Sequence, residues 1–177
     1  GWHKVTDPRW VGAEAGTAGF FISYLQEVTD TSGTSPSTYL TYYYLASTVV
    51  SFIGIFLIGR FSPGKVLACF ASCLAVMYVA AVLNAGALGA LYLLAMGAFI
   101  SILFPLIFSL SIERLGEFTE KGSALINMAI VGGAVFPPIQ GLLADSGGIQ
   151  LSYIVPCACT LPIMLFGRYC SRESKTA

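Results

Sequence analysis

The sequence predicts an all-α membrane protein with six transmembrane helices. Three observations lead there. Of the 177 residues, 56% are hydrophobic and only 10% are charged, with a mean hydropathy of +0.78. A soluble domain averages about 25% charged residues, and so few charges could not solvate its surface. Several apolar runs approach the roughly 20 residues that a helix needs to span a bilayer. Finally, if the chain crosses at each of six apolar stretches, all nine Lys and Arg residues fall on one side. Lys4 and Arg9 precede the first crossing, Arg60 and Lys65 follow the second, Arg114 and Lys121 follow the fourth, and Arg168, Arg172 and Lys175 follow the sixth. Short basic loops stay in the cytoplasm, so both termini are expected inside.

The crossings follow from the polar breaks between them. The first runs from about Trp10 to Leu25, with Asp7-Pro8 as a helix start. A Thr- and Ser-rich loop, Glu27 to Ser37, separates it from the second, Tyr39 to Gly59. The tyrosines at the head of that run (Tyr39, Tyr42, Tyr43, Tyr44) suit a membrane interface. Arg60 to Lys65 is a tight basic turn, and the third crossing is Val66 to Leu83. Asn84-Ala85-Gly86 turns the chain into the fourth, Leu88 to Ile112, where Pro105 predicts a kink. Glu113 to Gly122 is a charged loop. The fifth crossing, Ser123 to Ala144, contains Gly132-Gly133 and Pro137-Pro138. Asp145 to Gln150 is read as a loop, and Leu151 to Gly167 is the sixth crossing. The domain reading is therefore a cytoplasmic stub over residues 1–9, a six-helix bundle over 10–167 and a polar, frayed cytoplasmic tail over 168–177. The chain opens Gly1-Trp2-His3-Lys4, with neither an initiator Met nor a signal peptide, and is expected to be a piece of something longer.

The polar residues inside these runs are the functional candidates. Glu14 is the one acid that falls within a crossing, and an ionisable group there usually lines a cavity or handles protons or substrate. The alternative is that the first crossing is short and Glu14 sits near cytoplasmic water. Asn127 and Gln140 carry amides that both give and accept hydrogen bonds, as recognition of sugar hydroxyls requires. An interhelical hydrogen bond is the plainer role for each. Tyr24 and Phe104 offer aromatic faces, though an aromatic in a membrane helix is more often simply packed. Gly and Pro breaks in the fourth to sixth crossings must face other helices or a water-filled cavity, which fits a protein that flexes.

Other chemistry is not encoded. The only histidine is His3, so a Ser/His site in a crossing is excluded, and five cysteines without a nearby His make no zinc site. Gly132-Gly133 lacks the Lys-Ser/Thr of a phosphate loop. Zero formal net charge argues against nucleic acid. No enzyme activity and no cofactor are expected.

An ordered set of segments is more specific than any one residue. Val11-Gly12-Ala13-Glu14, Arg60-Phe61-Ser62-Pro63-Gly64-Lys65-Val66-Leu67-Ala68, Phe104-Pro105-Leu106-Ile107-Phe108-Ser109-Leu110, Gly122-Ser123, Ile130-Val131-Gly132-Gly133-Ala134 and Pro137-Pro138-Ile139-Gln140-Gly141-Leu142-Leu143-Ala144-Asp145 occur in that order. Over residues 11–168 they resemble the C-terminal half of the fucose–proton symporter family of the major facilitator superfamily, and the Pro-Pro-x-Gln-Gly variant resembles its fungal members. The resemblance implies half of a twelve-helix fold, a missing N-terminal six-helix half, a small sugar as substrate and H+ as coupling ion. It implies a plasma-membrane protein that works by rocking of the two halves. It places Glu14 and Phe104 on the sugar cavity. Gly54, Gly59, Arg60 and Lys65 resemble the degenerate second copy of the superfamily's inner-loop gating motif. The proton-carrying carboxylates would lie in the other half. This chain departs from the pattern at Thr6-Asp7-Pro8-Arg9, at Val50-Ser51 in place of a Gly-Arg pair, and at Leu106 in place of Thr. The competing readings are a non-transporting remnant or scaffold and a six-helix channel-like oligomer.

Overall fold

A computed structural model describes residues 9–28, 35–112, 120–121, 124, 128 and 133–173. Among the described residues the chain is helical throughout, broken only by short turns. The helices are α1 (Arg9–Val28), α2 (Pro36–Arg60), α3 (Pro63–Leu83), α4 (Ala87–Ile112), a 3-10 turn (Gly133–Val135), α5 (Phe136–Gly147), α6 (Ile149–Ser152) and α7 (Ile154–Glu173). Four stretches are long and apolar enough to cross a membrane: Ser37–Arg60, Pro63–Leu83, Ala87–Ser111 and Ile149–Arg172. These match the second, third, fourth and sixth expected crossings. α1 has 20 residues, a length of about 30 Å at 1.5 Å per residue, but is not among the four. Most of the first half of the fifth expected crossing, together with Asn127 and Gly132, lies outside the described residues.

The breaks have local causes. Pro36 and Pro63 open α2 and α3, where a missing N–H costs nothing. Gly86 (φ 76°) lets the chain leave α3 and re-enter α4 within three residues. Pro137 sits in the first turn of α5, so the double proline starts a helix rather than kinking one.

Pro105 lies inside α4, which runs on to Ile112. Two expectations need correction. Asp145 to Gln150 is not a loop: α5 runs to Gly147 and α6 begins at Ile149, with Gly148 alone (φ 85°) between them. One left-handed glycine suffices, because its N–H still bonds the Ala144 carbonyl at 2.9 Å. The tail is not frayed from Arg168, since α7 continues to Glu173.

The bundle is built around α3, which packs on α7 and α4, while α4 also holds α2 and α1 closes against α7 and α4. Its core includes Phe21 and Leu25 of α1, Leu67, Leu74 and Tyr78 of α3, and Leu93, Met96 and Leu106 of α4. Lipid is as apolar as these side chains, so burial alone does not drive their association; close packing and interhelical hydrogen bonds do. Both are present. Ser47 of α2 donates to the Gly97 carbonyl of α4 at 2.7 Å. A Cβ on Gly64 would lie 2.6 Å from the Ser171 nitrogen, and one on Gly167 would lie 2.6 Å from the Ala68 nitrogen. The two glycines thus bring the start of α3 and the end of α7 into backbone contact. Gly64→Ala is expected to lower bundle stability by about 1–3 kcal/mol, because backbone cannot give way, whereas Gly59→Ala, which meets nothing within 4 Å, is expected to be silent. Thermal unfolding of the two variants in detergent checks this.

Candidate functional site

Tyr78 fixes where the site begins. The Thr17 hydroxyl donates to the Ala13 carbonyl of α1 at 2.7 Å, so the fully buried Tyr78 hydroxyl shares its one proton between the Thr17 oxygen and the same carbonyl, 3.3 Å away. Tyr78 is fifteen residues along α3 from Pro63, roughly 22 Å at 1.5 Å per residue, and its side chain leans back toward the helix start. Ala13 and its neighbour Glu14 therefore stand near mid-height of the bundle, not at its basic end. Glu14 is exposed.

Phe104 reaches the same height from α4. It is eight residues from Ile112, roughly 12 Å, and its side chain leans away from the basic end. It is 37% exposed, with Phe108 5.9 Å away ring to ring. Pro105 has no N–H to give the Ser101 carbonyl its usual helical bond. α1 packs on α4. The arrangement offers a carboxylate and an aromatic face on two adjoining helices, groups that can bind a polyhydroxylated ring.

Two other candidates are turned inward. Gln140 is fully buried, and its Nε2 donates to Ser152 Oγ at 3.4 Å. Its Oε1 lies against Gly16 of α1, where any Cβ would collide, and makes no hydrogen bond. Tyr24 is also fully buried, edge-on to Tyr153 at 5.8 Å, with its hydroxyl against Gly89. In this conformation both pack α1 into the bundle. The tyrosine cluster of α2 divides likewise: Tyr42 and Tyr44 are exposed, but Tyr43 is buried against Phe21 and Gly97.

The motif residues are spread more widely. Gly54 is buried against Ile102, Gly59 is open, and Arg60 and Lys65 are exposed around the α2–α3 turn. Gly133 is buried in the 3-10 turn, and Asp145 is exposed near the end of α5. Sequence reasoning missed the Thr17–Tyr78 pair and Gln150, which caps α3 by donating to the Val82 carbonyl at 2.7 Å. A Thr two turns into a short apolar helix was the available signal for the first; nothing local marked the second.

A sequence profile described as Major Facilitator Superfamily matches residues 11–176. The chain belongs to the Major Facilitator Superfamily. Its relatives in that superfamily include the glucose/galactose transporter of Brucella abortus, 36% identical over 160 residues that make up 89% of this chain and 39% of the relative. The L-fucose-proton symporter of Escherichia coli is 32% identical over 175 residues, 98% of this chain and 40% of the symporter. The crystal structure of the superfamily transporter FucP in the outward conformation superposes with a TM-score of 0.89 at 32% identity, over 96% of this chain and 41% of that one. This chain spans about two-fifths of the length of the relatives it matches. It is an integral membrane protein of a transporter superfamily, not an enzyme.

In this conformation Gln140 packs between Gly16 and Ser152, with its Oε1 buried and unpaired. Gln140→Met, nearly equal in volume, removes the orphaned carbonyl and is expected to leave thermal stability unchanged or slightly raised. Gly16→Val, which drives a branched side chain into Gln140, is expected to lower it.

Proposed function

We propose that this chain is one six-helix half of a sugar transporter that works by alternating access, completed to twelve helices by a second half. Likeness to FucP across nearly the whole chain is the observation that carries this reading. The names of the relatives, glucose/galactose transporters and a fucose-proton symporter, support a monosaccharide as substrate and H+ as the coupling ion. The basic residues support a plasma-membrane topology with both termini cytoplasmic. That reading keeps residues 1–9 and 168–177 on the cytoplasmic side and the bundle between them.

Within this reading Glu14 accepts hydrogen bonds from sugar hydroxyls and Phe104 stacks on a C–H face of the ring. Asn127 supplies an amide from the fifth helix. Gln140 and Tyr24 set the position of α1, and thereby of Glu14. Arg60, Lys65, Gly54 and Gly59 belong to the gate at the basic end, with Gly132, Gly133 and Asp145 shaping the fifth helix. The wall formed by α1 and α4 faces the second half. A non-transporting remnant is the second reading, favoured by Val50 and Ser51 where the family carries Gly-Arg.

Sugar exchange at equal concentrations on both sides of a vesicle separates binding from proton-driven uptake. Losing one charged hydrogen bond costs about 1.5–3 kcal/mol, so Glu14→Gln is expected to raise the half-saturating sugar concentration about tenfold or more. Gln imitates the protonated acid, so the wild type should approach the variant as pH falls. Exchange that is equal in both proteins at every pH removes Glu14 from the site. No exchange of any monosaccharide by the native polypeptide would instead favour the remnant.

A further inference from the structure

The outer surface of α3 and α7 carries a pattern that sugar transport does not use. On α3, Lys65, Cys69, Val76, Val79 and Leu83 are exposed, spaced three, four or seven apart, so they form one stripe along the helix. On α7 the exposed stripe is Ile154, Ala158, Leu161, Leu165, Arg168 and Arg172. The helices are held together at Gly64 and Gly167, so the stripes flank a single seam. Both are apolar along their length and end in cations at the same end of the bundle.

The seam between them is shallow and smooth. Ala68, Ser72 and Ala75 of α3 are half-buried along it; across the contact Ala68 meets Gly167, and the Cys157 thiol of α7 donates to the Ala75 carbonyl at 3.9 Å. The Ser72 hydroxyl is spent on the Ala68 carbonyl at 2.7 Å, so it presents no free polar group to lipid. One leaflet of hydrocarbon is about 15 Å deep, half of the bilayer core, which is about ten helical residues. That is the span from Lys65 to Ala75. An acyl chain laid along the seam thus places its headgroup at Lys65, Arg168 and Arg172. Against these three cations the neighbouring sequence carries one acid, Glu173.

We propose that the α3–α7 seam seats one anionic phospholipid of the leaflet at the basic end, with an acyl chain over Ala68, Ser72 and Ala75 and the phosphate held by Lys65, Arg168 and Arg172. Charge complementarity selects an anionic headgroup over a zwitterionic one, and each cation near an anionic surface is worth about fivefold in binding. Seated there, the lipid ties the beginning of α3 to the end of α7, the contact that Gly64 and Gly167 already make.

Native mass spectrometry of the intact native polypeptide, exchanged into micelles holding equal phosphatidylglycerol and phosphatidylcholine, reads the site directly. The wild type is expected to retain phosphatidylglycerol at least about fivefold over phosphatidylcholine. The pair Arg168→Gln and Arg172→Gln should abolish that preference, while Arg168→Lys with Arg172→Lys should keep it. Ser72→Leu, which fills the seam and leaves the charges in place, should reduce retention of phosphatidylglycerol. Equal retention of both lipids by the wild type overturns the proposal, as does a preference that survives the glutamine pair. Retention unchanged by Ser72→Leu overturns the seat, leaving only adsorption of headgroups to a basic surface.

Discussion

Tyr78 reaches from α3 to the Ala13 carbonyl of α1 and joins the Thr17 hydroxyl on the way. Hydroxyls and carbonyls inside a bilayer have no water to turn to, so each must find a partner within the protein. This bond is individually modest, since polar contacts between membrane helices average about 0.6 kcal/mol. Its consequence is positional. It fixes the depth of α1, an amphipathic helix that is not apolar enough to be among the four clear spans. The depth of α1 in turn places Glu14 at mid-height, level with Phe104 on α4. Gln140 and Gly16 hold the same helix from its other side.

Two regimes of packing divide the bundle. α3 and α7 touch backbone to backbone through glycine, a contact that tolerates no added atom. On α2, by contrast, Phe52 and Phe56 are exposed and only a few residues are buried. If one half rocks against another as proposed, each half must move as a body, and the α3–α7 contact would stiffen this bundle. On α1 and α4, Glu14 and Phe104 are exposed.

What the sequence made legible follows from these regimes. Turns were readable where Pro or Gly meets a charge or an amide, as at Arg60 to Lys65 and at Asn84 to Gly86, because such residues cannot continue a helix through lipid. Glu14 stood out as an acid in an apolar run, but its depth did not, since a short first crossing would have left it near cytoplasmic water. The faces of the helices were not readable. In a soluble protein apolar periodicity marks the buried side, but here the lipid side is equally apolar, so nothing in the spacing said that Tyr24 and Gln140 turn inward while Phe104 turns out. Gly148 misled, since a single left-handed residue did the work expected of a six-residue loop.

The central claim is that Glu14 and Phe104 look into one water-filled cavity that admits sugar. Cysteine labelling tests it most directly, in native membranes and with the five natural cysteines replaced. Single cysteines at Glu14, Phe104 and, as a lipid-facing control, Val76 would be exposed to a membrane-impermeant maleimide with and without monosaccharide. The account predicts that the first two label, that a transported sugar slows both, and that Val76 does not react. Labelling at Val76 but not at Glu14 or Phe104, or labelling at those two that no monosaccharide slows, would contradict it.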